Sequence, residues 1–295
     1  MRDASRIVPL ADGHHVWTRR VGESKTKLLL LHGGPGFNHE YLEIFADYLP
    51  QHGVELYFYD QLGSYFSDQP DNPSLWNVDR FRAEVEQVRS FLGLDSFYLC
   101  GQSWGGMLAI EYALHYPNAI KGLVISNMTA SISAYVRSIN RLRQQLPKNL
   151  LKLMEQYESV GDYEAPTYQQ VLMEHLYKQH LCRLDPWPEP VQRAFAHFNP
   201  QVYNTMQGPN EFLVTGNFKD WDRWADLHRL QMPTLLLVGQ HDTMAVEDIE
   251  EMGQRIPNSH VTVCPNGSHM AMWDDADIYF ASLLHFVDSV ETGGK

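Results

Sequence analysis

Five residues, Gly101-Gln102-Ser103-Trp104-Gly105, have the spacing of a serine held in a sharp turn. Residues 97–100 before them form a short apolar run, and residues 106–116 after them carry a helical pattern. A strand, a tight turn and a helix in that order expose a serine hydroxyl as a nucleophile. The positions two residues either side of Ser103 must then lack Cβ to avoid collision. The chemistry predicted is acyl transfer through a covalent serine intermediate. Such chemistry needs two N–H donors aimed at the carbonyl oxygen as it becomes an anion. Trp104, next after the nucleophile, is predicted to give one. The loop His32-Gly33-Gly34-Pro35-Gly36, which follows the apolar run 27–31, is predicted to give the other from Gly34. Pro35 has no N–H to offer.

Serine is a weak nucleophile until a base accepts its proton and an acid holds that base. The order serine, acid, histidine along the chain points to two further residues. Asp242 follows the apolar run 234–238, and His269 follows the run 260–264. With 14 histidines in the chain, a histidine alone carries little weight. His241 neighbours Asp242, but adjacent residues after a strand point in different directions. His285 falls in a terminal amphipathic helical pattern and is read as core or surface. His32 is read as a brace for the Gly34 loop.

The elements that must position these residues are short apolar runs alternating with helix-length segments. Runs at 27–31, 56–59, 97–100, 122–125, 234–238 and 260–264 read as buried strands. Segments such as 78–92 and 106–116 read as helices. That alternation predicts an α/β fold with a mostly parallel central sheet flanked by helices. It breaks once, between about residues 131 and 230, where long amphipathic patterns and Pro186, Pro188 and Pro190 replace strand runs. A structureless loop of that length is implausible. The reading is therefore a core domain of residues 1–130 and 231–295, with a helical cap of residues 131–230 over the sheet's C-terminal edge. Thr292-Gly293-Gly294-Lys295 reads as a frayed tail.

Bulk composition limits the partners. A 295-residue chain with 44% hydrophobic and 20% charged residues is ordinary for one enzyme domain with an insertion. A net charge of −13 argues against nucleic acid and anionic membrane, and suits cationic substrates such as peptides with a free amino terminus. Cys100, Cys182 and Cys264 form no disulfide framework or metal motif and read as buried core thiols. The N-terminus lacks the apolar segment of a secretory signal, and no run approaches a membrane span. A cytoplasmic setting and a monomer are the expectation.

With these segments in view, the sequence resembles the proline iminopeptidase (prolyl aminopeptidase) family of α/β-hydrolases, bacterial type. The likeness is carried by His32-Gly33-Gly34-Pro35-Gly36, Tyr59-Asp60-Gln61-Leu62-Gly63-Ser64 and Gly101-Gln102-Ser103-Trp104-Gly105-Gly106. It continues through Gly208-Pro209-Asn210-Glu211-Phe212, Asp242-Thr243-Met244 and Pro265-Asn266-Gly267-Ser268-His269-Met270. The resemblance implies an α/β-hydrolase core with a helical cap and no metal or organic cofactor. It implies release of an N-terminal residue, proline by preference, from short peptides. It assigns the triad to Ser103, Asp242 and His269. It also gives Glu211 the task of binding the substrate's free amino group, against the plainer reading of a capping or surface glutamate. Some family members carry a second glutamate directly after the triad aspartate; here that position is Thr243, so the amine is held either by one carboxylate or by a second that the sequence does not place, such as Glu40 or Asp185. Rival functions are an amidase for prolinamide or other amino-acid amides, a carboxylesterase, and a ligand receptor on a retained hydrolase scaffold.

Overall fold

The computed structural model describes residues 3–293. Gly294 and Lys295 of the predicted tail lie outside the described residues. The chain opens with two strands that the apolar pattern does not announce, β1 (Asp3–Pro9) and β2 (His15–Val21). β1 is an edge strand with mostly exposed side chains, and β2 interleaves buried Val16 and Thr18 with half-buried Arg19 and Arg20. Polar edges of this kind discourage sheet-to-sheet aggregation and also hide the strand from a search for apolar runs.

The six apolar runs become β3 (Thr26–Leu31), β4 (Val54–Tyr59), β5 (Phe97–Gln102), β6 (Ile120–Ser126), β7 (Thr234–Gly239) and β8 (Ser259–Cys264). All eight strands join one sheet in the order β1-β2-β4-β3-β5-β6-β7-β8. β1 and β2, and β2 and β4, pair antiparallel; every other pairing is parallel. Every residue of β4, β5 and β7 is buried, as strands covered by helices on both faces must be. The helices Val78–Leu92, Trp104–His115, Val246–Arg255 and Ala276–Glu291 supply that cover.

The sheet order contains a switch point. From β3 the chain moves outward to β4, then crosses back over β3 to β5 and builds the other half. Crevices beyond the carboxyl ends of parallel strands at such a switch are where open α/β sheets bind ligands. Here the loop after β3 carries Gly34, and the end of β5 carries Ser103.

Among the described residues no named strand lies between β6 and β7. Instead come the helices Ile132–Arg143, Lys148–Ser159, Pro166–Leu172, Glu189–Ala196 and Pro200–Met206. Proline starts several of them, where its missing N–H has no helical partner to lose. Asn199 caps the last, accepting from the N–H of Gln201 and of Val202. Pro166–Leu172 continues through a wider π turn, Met173–Tyr177. This helical segment is stitched to the sheet by main-chain bonds: His269 N–H to His180 C=O, Met270 N–H to Leu181 C=O, and Asn199 N–H to Gly36 C=O, at 2.9, 2.9 and 2.8 Å. All three cysteines are buried and free. No helix among the described residues is long and apolar enough to cross a membrane.

Candidate active site

The turn at Ser103 follows from its glycines. Ser103 sits at φ 56° and ψ −126°, between the end of β5 and the helix Trp104–His115. A Cβ on Gly101 would lie 1.9 Å from the Gly105 carbonyl oxygen, and one on Gly105 would lie 2.1 Å from the Leu31 carbonyl oxygen. Both are backbone atoms, so no side chain can move aside. Gly105→Ala is expected to destabilise the fold by about 3 kcal/mol through overpacking. That should lower the melting temperature by about 6 °C or more in a calorimetric scan. A variant melting with the parent would mean that the turn is looser than described.

Three predicted residues meet side by side. His269 Nε2 lies 2.9 Å from Ser103 Oγ, and His269 Nδ1 lies 2.7 Å from Asp242 Oδ1. All three residues are buried. The nitrogen facing Asp242 therefore carries the proton in the neutral ring, leaving the other as the acceptor facing Ser103. Burial pulls the His269 pKa down, but the charge and hydrogen bond of Asp242 outweigh it. The net result is a pKa above the ordinary histidine value, with Glu211 adding a smaller push.

Asp242 is held by more than His269. Its Oδ1 also accepts from Thr243 Oγ1 and from the Met244 N–H, both at 3.1 Å. Its Oδ2 accepts from Asn127 Nδ2 at 2.7 Å. Thr243 is fully buried and turned into the acid–base pair, with Oγ1 3.3 Å from His269 Nδ1. It faces Asp242 and His269 and does not line the cavity around Ser103.

Gly34 and Trp104 border one small space with Ser103. Gly34 has φ 110°, and a Cβ there would lie 2.6 Å from the Phe37 nitrogen, so only glycine fits. Trp104 begins its helix, where the N–H is unused by the helix and the dipole favours negative charge. The neighbouring Gly33 N–H is already committed to Tyr41 Oη at 2.6 Å. Tyr41 in turn donates to Gln102 Oε1 at 2.7 Å, and Gln102 Nε2 donates to the His269 carbonyl at 2.9 Å. Two side chains thus tie together the Gly34 loop, the Ser103 turn and the His269 loop.

His32 braces the same loop. Its Nδ1 contacts the Gly33 carbonyl at 2.8 Å, and its Nε2 accepts from the Gln61 N–H at 3.0 Å. Full burial pushes its pKa down to about 4, which keeps it neutral. His241 does not line the cavity around Ser103, and its carbonyl lies 2.8 Å from His180 Nδ1. His285 is exposed on the terminal helix.

Above Ser103 lies a cavity of about 240 Å³ between the sheet and the helical segment. Its lining is mainly aromatic and aliphatic, and includes Ser103, His269, Gly34 and Glu211. Glu211 is fixed by phenols. Tyr203 donates to its Oε1 at 2.5 Å, and Tyr135 lies 3.0 Å from its Oε2 while also donating to its backbone carbonyl. Tyr177 Oη accepts from the Glu211 N–H at 3.4 Å. Burial, then the charge of Glu211, raises the pKa of Tyr135, Tyr177 (here a backbone bond opposes) and Tyr203, so these phenols stay protonated, and Tyr135 and Tyr203 serve as donors to Glu211. A half-buried carboxylate with free lone pairs facing an apolar cavity is suited to a cationic group.

The other acids separate. Glu40 is buried outside this cavity, bonded to Arg193 and, at 2.7 Å, to His197 Nδ1. Asp185 does not line the cavity, whereas the exposed Glu164 does. Sequence reasoning had no signal for Glu164, or for Tyr135, Tyr177 and Tyr203, which converge from three separate helical stretches. Among the described residues no group of three or more His, Cys, Asp or Glu is placed to hold a metal.

Comparison with known proteins agrees with this geometry. Residues 27–276 match the family described as alpha/beta hydrolase fold. The chain is 44% identical to the proline iminopeptidase of Flavobacterium johnsoniae, over 93% of this chain and 94% of that one. Among solved structures, the proline iminopeptidase of Mycobacterium smegmatis superposes with a TM-score of 0.90 at 30% identity, covering 99% of this chain and 100% of the other. VinJ superposes with a TM-score of 0.93 at 31% identity, covering 97% and 99%. The buried Ser103–His269–Asp242 alignment, the switch-point sheet and these likenesses lead to one assignment: the chain belongs to the proline iminopeptidase family of α/β-hydrolases.

Proposed function

We propose that the chain is a serine exopeptidase that releases an N-terminal residue, preferentially proline, from short peptides through an acyl-enzyme. The observation that carries this reading is Glu211, held by phenols in the same cavity as the Ser103–His269 pair. An exopeptidase must recognise a charged amino terminus, and a carboxylate beside an apolar pocket does so by a charge-assisted bond. An esterase for uncharged substrates has no use for that carboxylate. Peptides and amino-acid amides with a free N-terminus both present the required amine.

Ser103 Oγ gives its proton to His269 Nε2 and attacks the carbonyl carbon of the first residue. The carbonyl oxygen becomes an anion held by the N–H groups of Gly34 and Trp104. Asp242 stabilises the imidazolium that forms. His269 then protonates the leaving nitrogen, the C–N bond breaks, and the shortened peptide departs. Water, deprotonated by His269, attacks the ester; Ser103 regains its proton and the free amino acid leaves. Residues 131–230 act as a cap that limits the pocket to one residue, over a core of residues 1–130 and 231–295. The buried free thiols fit a reducing, cytoplasmic setting.

The raised His269 pKa has a kinetic consequence. The ring accepts the Ser103 proton only when neutral, so activity falls as pH drops through its pKa. The acidic limb of kcat/KM is expected above pH about 6.5, the ordinary histidine value. A limb well below that value would contradict the Asp242–His269 coupling. The function itself is tested by free proline release. Pro-Gly-Gly should yield proline and Gly-Gly, whereas Gly-Pro-Gly should yield no proline directly. Absence of release from Pro-Gly-Gly overturns the reading.

A further inference from the structure

Among the described residues only two non-glycine positions have a left-handed backbone, Ser103 at φ 56° and Asn127 at φ 54°. Backbone of that kind in a non-glycine residue persists where surrounding structure demands it, and it gathers at functional sites. Asn127 follows the last residue of β6 and is fully buried. It lines no part of the substrate cavity.

Its side chain has two N–H groups, and each is spent on a different loop. Asn127 Nδ2 donates to Asp242 Oδ2 at 2.7 Å and to the Ser268 carbonyl at 3.1 Å. The first contact fixes the acid, and the second fixes the residue before the base. The orientation of the amide is set by its other end. Tyr279 Oη donates to Ser126 Oγ at 3.0 Å, and Ser126 Oγ donates to Asn127 Oδ1 at 2.7 Å. All donation thus runs one way, from Tyr279 through Ser126 and Asn127 to the carboxylate. The Asn127 N–H is anchored to the Leu237 carbonyl at 2.8 Å, which ties this residue to β7 as well.

We propose that Asn127 is a positioning residue that sets the distance between the Asp242 loop and the His269 loop, and thereby the activation of Ser103. With the amide present, Asp242 Oδ2 is held and Oδ1 is aimed at His269. Without it, Asp242 Oδ2 loses its partner, the carboxylate is held on its Oδ1 side alone by Thr243 and Met244, and the Ser268 carbonyl loses a donor in a buried place. The proposal rests on Ser103, Asp242 and His269 acting as a triad. It does not depend on prolyl specificity.

The test uses Asn127→Gly, which keeps the left-handed backbone and removes only the side chain. The readout is the pseudo-first-order rate constant for labelling of Ser103 by a fluorophosphonate. A rate constant does not depend on how much of the preparation is folded, so a merely structural role would leave it unmoved. Labelling is expected to slow by between about tenfold and about a hundredfold, the scale of a small misplacement of catalytic groups. For proline p-nitroanilide kcat should fall in parallel, with KM within about twofold of the parent. Labelling within about twofold of the parent overturns the proposal. Should Asn127→Gly fail to fold, Ser126→Ala, which releases the other end of the amide, carries the same test. It should slow labelling about threefold, and a parental rate overturns the proposal. If the parent labels but never hydrolyses proline p-nitroanilide, the prolyl reading fails while labelling still decides the role of Asn127.

Discussion

Ser103→Ala is expected to lower kcat for proline p-nitroanilide by about a millionfold, the scale seen when a triad serine is removed. The cause is chemical and local. The variant has no oxygen 2.9 Å from His269 Nε2, so no acyl-enzyme can form. The fold should survive, because the strain at φ 56° is imposed by the glycines and by the β5-to-helix turn. Binding should also survive, since the substitution leaves Glu211 and the aromatic wall of the cavity in place. The variant is therefore expected to bind prolinamide with near-parental affinity in a calorimetric titration while turning over nothing. Residual turnover above about one per cent of the parent would place the nucleophile elsewhere.

Glu211→Gln is the second large effect, and it separates amine capture from chemistry. The two side chains are nearly equal in size, so the cavity wall is kept. What is lost is a partly desolvated carboxylate, which the proposed function sets opposite the substrate ammonium. Removing one partner of such a pair costs about 3–4 kcal/mol, or about a hundredfold to a thousandfold in kcat/KM for substrates with a free amine. Labelling of Ser103 by a fluorophosphonate, which has no amine, should change little. The pH profile should also move. The charge of Glu211 helps to raise the His269 pKa, so its removal lowers that pKa. A lower pKa keeps His269 neutral in more acid solution, and the acidic limb shifts to lower pH. An unchanged kcat/KM for proline p-nitroanilide would take Glu211 out of substrate binding.

The parts of this enzyme that could be read in the chain are those where one short stretch carries the whole requirement. Gly101 to Gly105 is such a stretch, because the collision that forbids a side chain at Gly101 is with Gly105 four residues on, although the one at Gly105 is with Leu31 on β3. Asp242 follows β7, an apolar run buried along its whole length, and His269 follows β8, an edge run still marked by Val261, Val263 and Cys264. β1 was hidden because an edge strand faces water, and β2, which lies between β1 and β4, because its half-buried arginines break the apolar pattern. The support of the site was hidden for a different reason. Tyr135 and Tyr177 reach Glu211 from 76 and 34 residues away and Tyr203 from eight, and no spacing rule links them. Asn127 reaches Asp242 across 115 residues. Thr243 could be seen to depart from the family pattern, but only its direction, into the acid–base pair, says what it does instead. Local motifs thus point to Ser103, Asp242 and His269, which the fold brings side by side, whereas the groups that hold them are set by tertiary packing.

Under the proposed function Ser103 attacks, and Glu211 admits only a substrate with a free amino terminus. Steady-state hydrolysis of proline p-nitroanilide against N-acetylproline p-nitroanilide, by the unaltered chain, tests both at once. Acetylation leaves the scissile bond and ring in place and removes the charge that Glu211 would meet. The predicted result is ready hydrolysis of the free compound, with kcat/KM for the acetylated one lower by about a thousandfold or more. Equal rates, or a preference for the acetylated compound, would contradict the account.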